Sequence, residues 1–139
     1  MSDAPVRLQV PPNCDLTLGL VCLDKREPGQ TTWQMVADER FANPAGIVQG
    51  GFLAAMADSA MGASAVTYAT RAPGAKVISA NAEMKTSFLR PVAVGATLTC
   101  HAVVISGGSR VVFCEAEITD GDGRLVAKAS STYVITARN

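Results

Sequence analysis

From Phe52 to Ala69 the chain runs for 18 residues with one charge, Asp58, and with apolar or small side chains on every side at helical spacing. Gly50-Gly51 precedes this run and Arg71-Ala72-Pro73-Gly74 follows it, which predicts a helix over 50–70. An amphipathic surface helix would show a polar stripe, so this one is expected to be wrapped by other elements. Its small residues, among them Ala54, Ala55, Ala57, Ala60 and Gly62, let a curved sheet close round it at short distance. Beyond the helix the period changes to two. Over 76–89, Ile78, Ala80, Ala82, Met84 and Phe88 alternate with Ser79, Asn81, Glu83, Lys85 and Ser87, predicting a strand with the first set in the core. Strands over 97–106 and 110–119 flank Gly107-Gly108, and Asp120-Gly121-Asp122-Gly123 leads into 124–136, together an antiparallel meander. Ahead of the helix, 14–24 and 31–37 read as a hairpin around Glu27-Pro28-Gly29-Gln30, and 41–49 as a loop opened by Asn43-Pro44. Residues 1–12, with two consecutive prolines and no sustained period, read as a loosely held arm. The order β-β-α-β-β-β-β predicts an α+β fold, one helix against one face of an antiparallel sheet.

Length and composition narrow the function classes. The 139 residues suit one domain, and 48% hydrophobic against 17% charged residues, with mean hydropathy +0.22, excludes disorder. Twelve Lys plus Arg balance twelve Asp plus Glu, so the basic excess that draws proteins to nucleic acid is missing. So few charges on so apolar a chain predict that a second copy covers some surface, a homo-oligomer. A membrane span over 52–69 is rejected, because Ala, Gly and Ser gain little from lipid and a central Asp58 would cost about 3 kcal/mol. Cys14, Cys22, Cys100 and Cys114 form no CxxC pair and read as buried free thiols, although Cys100 and Cys114 on adjacent strands leave a disulfide sterically conceivable. No cationic signal peptide precedes an apolar stretch, which predicts a reducing, cytoplasmic setting. The one histidine, His101, reads as exposed or interfacial and excludes sites needing two imidazoles; no metal site is predicted.

Chemistry concentrates between Asn43 and Asp58. A helix N-terminus offers unpaired N–H groups and partial positive charge to a developing oxyanion, and Gly50 and Gly51 let a carbonyl approach closely. A tight turn or close packing would also account for the two glycines. Asp58 is a poor mid-helix residue and a candidate general base; the alternative is a structural carboxylate paired with a strand donor. Asn43 taken alone reads as a turn residue.

The series Asn43, Gly46, Gln49-Gly50-Gly51 and Asp58 resembles hotdog-fold acyl-CoA thioesterases of the phenylacetic-acid-degradation (PaaI) type, which carry Asn, Gly, then His-Gly-Gly at the start of the central helix and an acid inside it. The resemblance extends over 14–136, including Phe88-Leu89-Arg90-Pro91 after the helix. It implies a hotdog fold, acyl-CoA as substrate, no cofactor beyond the CoA of that substrate, and active sites at a dimer interface within a tetramer. It also implies that the Gly50 amide, helped by Asn43, polarises the thioester carbonyl, and that Asp58 of the partner acts as base or nucleophile. Asn81 stands where the family has Ser or Thr near the carboxylate, placed with the substrate site to orient the water or Asp58. Gln49 replaces the family's His; it can donate to a carbonyl but cannot shuttle a proton near neutral pH. That replacement disfavours a dehydratase and leaves open a non-catalytic module that only binds acyl-CoA or another apolar ligand. Gly51 and Phe52 are placed with the substrate, as are Met56 and Met61 in an apolar pocket, with Arg90 and Arg71 as candidates for CoA phosphates.

Overall fold

The computed structural model describes residues 7–138. Of the arm expected over 1–12, residues 1–6 lie outside the described residues, and 7–12 carry no helix or strand. The chain then forms α1 (Asn13–Leu18), β1 (Val21–Asp24), β2 (Gln30–Val36), a 3-10 turn (Glu39–Phe41), α2 (Gly50–Ala69), β3 (Val77–Phe88), β4 (Thr97–Gly107), β5 (Val111–Thr119) and β6 (Leu125–Ala137). The six strands make one antiparallel sheet in the order β1-β2-β4-β5-β6-β3, with α2 packed against its inner face. The strand expected over 14–24 holds for its last part, Val21–Asp24, which pairs with β2 as the expected hairpin, and is corrected over its first. Pro12, in extended conformation, opens a short helix, and Gly19 closes it at φ 69° with its N–H bonded back to Asp15 and Leu16. Leu16 and Leu18 fit a period of two, and the helix termini, not the apolar spacing, decide the segment.

Inward side chains of four strands, Met35, Leu98, Val112, Ile118 and Val126 among them, meet Met56, Ala60 and Met61 of α2 in a dry core. Each large apolar side chain so buried contributes roughly 1.5–3 kcal/mol. Polar groups trapped there are paired: Thr31 Oγ1 bonds the Ala60 carbonyl and Ser64 Oγ, and Ser64 Oγ donates to the Ala102 carbonyl. The helix is not wrapped all round. Leu53, Met56, Ala57, Ala60, Met61, Ser64 and Ala65 are buried, while Gly51 is exposed and Ala55, Asp58, Ser59, Gly62 and Val66, on the opposite face, are half-buried.

Strand β3 lies at the sheet edge and pairs only with β6. A register shift between Asn81 and Glu83 leaves Ala82 unpaired opposite the Tyr133–Thr132 step, so the alternation reverses within the strand. Before the shift Val77 and Asn81 face the helix; after it Met84 packs on the core and Phe88 touches Gly50. The core face expected for β3 is therefore right for Met84 and wrong for Ile78, Ala80 and Ala82, which are exposed; Phe88 is exposed too, although its ring lies against Gly50.

Cys100 and Cys114 are buried free thiols whose pKa values burial pushes up to about 12. Cys100 pairs with Ile118 and Cys114 with Val104, so the two are out of register and form no disulfide. Cys14 is exposed and Cys22 half-buried, contrary to the expectation for all four. His101 is exposed, with Nδ1 3.1 Å from Thr32 Oγ1. Among the described residues no helix is long and apolar enough to cross a membrane.

Candidate active site

Three local structures build the start of α2. Asn43 folds the preceding loop on itself, its Oδ1 accepting the N–H of Ala45 and Ile47 at 2.9 and 3.1 Å, and its own N–H donating to the Ile47 carbonyl at 2.7 Å. Gly46 supplies the φ of 77° that this loop needs. The loop is then stitched to its neighbours, Gln49 N–H to the Phe41 carbonyl and Val48 N–H to the Val92 carbonyl, which fixes where the helix begins. Gln49 occupies the N-cap in extended conformation, exposed, and its side chain makes no capping hydrogen bond. The first-turn N–H groups of a helix have no intrahelical carbonyl to bond, and here no side chain caps them.

Two open clefts flank this terminus. One, of about 410 Å3, is lined by Gly50, Leu53, Phe88 and Arg90 with apolar neighbours from 47–48 and 89–92. The other, of about 420 Å3, is lined by Gln49, Gly51, Phe52 and Ala55 of α2 and by Cys14, Thr17 and Leu18 of α1. A methyl group on Gly50 would lie 2.8 Å from Cζ of Phe88, whereas one on Gly51 would meet nothing within 4 Å. A side chain at 50 would thus have to push this exposed ring aside. Phe52 stacks on Phe41 at 4.3 Å between ring centroids. α1 is tied over the second cleft by Asp15, a buried carboxylate that accepts the Ser59 hydroxyl at 2.8 Å.

Asp58 stands two turns further on, half-buried rather than enclosed. Its Oδ1 accepts from Asn81 Nδ2 at 2.9 Å and from the Tyr133 hydroxyl at 2.7 Å, and Tyr133 also lies 3.0 Å from the Asp58 carbonyl. Ser131 Oγ lies 2.8 Å from Asn81 Oδ1 and 2.7 Å from the Glu83 carbonyl and shares its one proton between them; its bond to Oδ1 leaves the Asn81 NH2 facing the carboxylate. Burial above all, with the Asp58 carboxylate adding to it, pushes the Tyr133 pKa up. The phenol therefore keeps its proton and remains a donor.

The sequence-predicted residues fall into groups. Asp58 and Asn81 are in direct contact; Gly50 and Arg90 share one cleft; Gln49, Gly51 and Phe52 share the other. Asn43 lines neither cleft and shapes the loop instead. Met56 and Met61 are fully buried in the core and line neither, a correction to their placement in an acyl pocket. Arg71 is also misplaced, since it lies at the far end of α2 with its guanidinium 3.9 Å over the Tyr68 ring. Sequence reasoning missed Tyr133, Ser131 and the contact of Phe88 with Gly50. The available signal for Tyr133 was its parity with Ala129, Ser131 and Ile135, which puts a phenol inside the sheet where its hydroxyl must find a partner.

Comparison with known proteins bears on the same residues. Residues 45–127 match the Thioesterase superfamily. A phenylacetic acid degradation-related protein of Ralstonia eutropha JMP134 is 34% identical, with 95% of this chain and 92% of that one covered and a TM-score of 0.76. The PaaI protein from the E. coli phenylacetic acid degradation operon superposes with a TM-score of 0.81 at 21% identity, over 91% of this chain and 86% of that one. A Streptococcus mutans UA159 protein solved with bound acetyl CoA gives 0.77 at 17% identity, over 86% and 90%. The chain belongs to the Thioesterase superfamily, and its fold is the hotdog fold of the PaaI-like thioesterases.

Proposed function

We propose that the protein hydrolyses acyl-CoA thioesters to the free acid and CoA, with the Gly50 amide as oxyanion donor and Asp58 as general base or nucleophile. The observation that carries this reading is the pairing of an uncapped, glycine-lined helix start with a half-open carboxylate on the same helix. In the base route, Asp58 takes a proton from water as its oxygen bonds the acyl carbon, and the carbonyl electron pair moves onto the oxygen facing Gly50. Collapse of that oxyanion breaks the C–S bond, and the departing CoA sulfur takes the proton back from Asp58. In the nucleophile route Asp58 itself bonds the acyl carbon, CoA leaves as the thiolate, and water then cleaves the mixed anhydride. Either route runs on water and groups of the chain, and CoA enters only as part of the substrate.

Gly50 and Asp58 lie eight residues apart on α2, a rise of about 12 Å, too far for both to touch one thioester carbon. This distance supports a homodimer in which each site takes Gly50 from one copy and Asp58 from the other. β3 contacts both ends, Phe88 at Gly50 and Asn81 at Asp58, and its outer edge is unpaired, which suits it to the subunit boundary. The resemblance to PaaI-type enzymes extends the proposal to a tetramer in the cytoplasm. Arg90, exposed at the mouth of the first cleft, is the candidate for a CoA phosphate, while Gln49, Gly51 and Phe52 line the second flank of the substrate path. In this reading Asn43 acts through its free amide donor and the loop it shapes.

Release of free thiol by the purified protein from short, medium, long and aromatic acyl-CoA thioesters, with Asp58→Ala beside it, tests the proposal. Turnover of one class by the wild type and none by the variant supports it. Gln49, which cannot move a proton, favours the second reading, a module that binds acyl-CoA without hydrolysing it; saturable binding with no thiol release from any ester would establish that instead.

A further inference from the structure

We propose that Tyr133 is a positioning residue for the carboxylate: with Asn81 it ties down Oδ1 of Asp58 and so assigns Oδ2 as the oxygen that reacts. The inference deepens the thioesterase reading and rests on it. Two donors converge on the same oxygen, at 2.7 and 2.9 Å, and they come from neighbouring strands that are paired at Asn81 and Tyr133. A carboxylate held at one oxygen through two directions has little freedom to rotate about its Cβ–Cγ bond, so the direction of its other oxygen is fixed as well.

The support behind the two donors is graded. Tyr133 is fully buried, its ring packs beside Gly62 at 3.5 Å from where a Cβ would stand, and its hydroxyl also meets the Asp58 carbonyl, so it registers the helix turn and the carboxylate together. Asn81 is exposed on the edge strand, but Ser131 sets which way round its amide sits. The buried arm is rigid, and the exposed arm lies where a second subunit or a substrate can reach it. A reading of Tyr133 as plain core leaves its hydroxyl bond to Oδ1 without a purpose, because the Asp58 carbonyl alone would satisfy that hydroxyl.

The test uses Tyr133→Phe, which removes one oxygen and keeps the ring, and Asn81→Ala, which removes the other donor from an exposed position. Thiol-release kinetics are measured for both beside the wild type and Asp58→Ala, with thermal unfolding to verify that each is folded. A charge-assisted hydrogen bond corresponds to roughly a 10–100-fold change in rate, so kcat should fall by about that factor in Tyr133→Phe with KM within about twofold of wild type, and Asn81→Ala should move the same way by less. Wild-type kcat in both variants while Asp58→Ala is inert would overturn the positioning role and leave the thioesterase reading intact. A rise in KM with kcat unchanged would overturn it too, because Tyr133 would then shape binding only. Should Tyr133→Phe fail to fold, the kcat of Asn81→Ala decides. Full activity in Asp58→Ala would remove the catalytic role of Asp58, and this inference with it, whereas no thiol release by the wild type would remove the thioesterase reading itself.

Discussion

The two ends of the central helix are built on opposite plans. At the C-terminal end every projecting group is occupied: the Tyr68 hydroxyl donates to the Gly107 carbonyl at 3.0 Å, its ring lies against Gly29 and Gly107, and Arg71 covers it from outside. Thr67 accepts the Gly29 N–H and donates to the Ser64 carbonyl, and Thr70 returns its hydroxyl to Val66. At the N-terminal end the cap side chain makes no bond, two glycines stand bare, and clefts open on both sides. A folded chain gains from satisfying its helix termini. The proposed site lies at the end left open, not at the closed one.

Four substitutions would break or sharpen that contrast. The largest effect is expected from Asp58→Ala, which removes the proton acceptor and should lower kcat by about 100-fold or more with little change in melting temperature, measured by thiol release and calorimetry. Gly50→Ala comes next. Its methyl group must push Phe88 aside over the helix start, and kcat should fall about 10–100-fold. At the closed end the sign of the effect reverses between assays: Gly107→Ala forces a Cβ into the Tyr68 ring and should cost about 1–3 kcal/mol in denaturant unfolding, leaving kcat per folded molecule unchanged. The smallest effect belongs to Gln49→His, which places an imidazole at the exposed cap. Turnover should rise by no more than about tenfold, and a fall would mean that the Gln amide itself contacts the substrate.

The same contrast explains what the sequence revealed. The meander β4–β5–β6 was legible because glycine turns separate clean alternation, and α2 because Gly50 and Pro73 bracket a long run of helix formers. The glycines and Asp58 could be picked out as candidates because each breaks a local rule, a bare helix start and a charge in an apolar run. α1 was not legible, since six residues carry too little periodicity to separate a turn of helix from a strand. Half of β3 was misread because alternation was carried through Ala82, and no residue there announces a bulge. Arg71 shows the limit for charged groups: it sits beside a helix terminus in sequence, but the terminus it sits beside is the closed one. Tyr133 obeys every local rule: its parity puts the phenol inside the sheet, but the group it meets there could be read only from the distance to Asp58.

The unpaired Ala82 has a further bearing on how this chain can change over generations. It divides β3 into an upstream half that presents Asn81 to the carboxylate and a downstream half that presents Met84 and Phe88 to the core and helix start. Loss of this single codon would restore unbroken alternation with Asn81, Met84 and Phe88 still on the inward face, because Asn81 stays opposite Tyr133 and Glu83 opposite Thr132. Point changes on either half can be inherited separately, and the strand can shorten by one residue at Ala82, but a residue lost between Met84 and Phe88 would turn one of those two away from the helix.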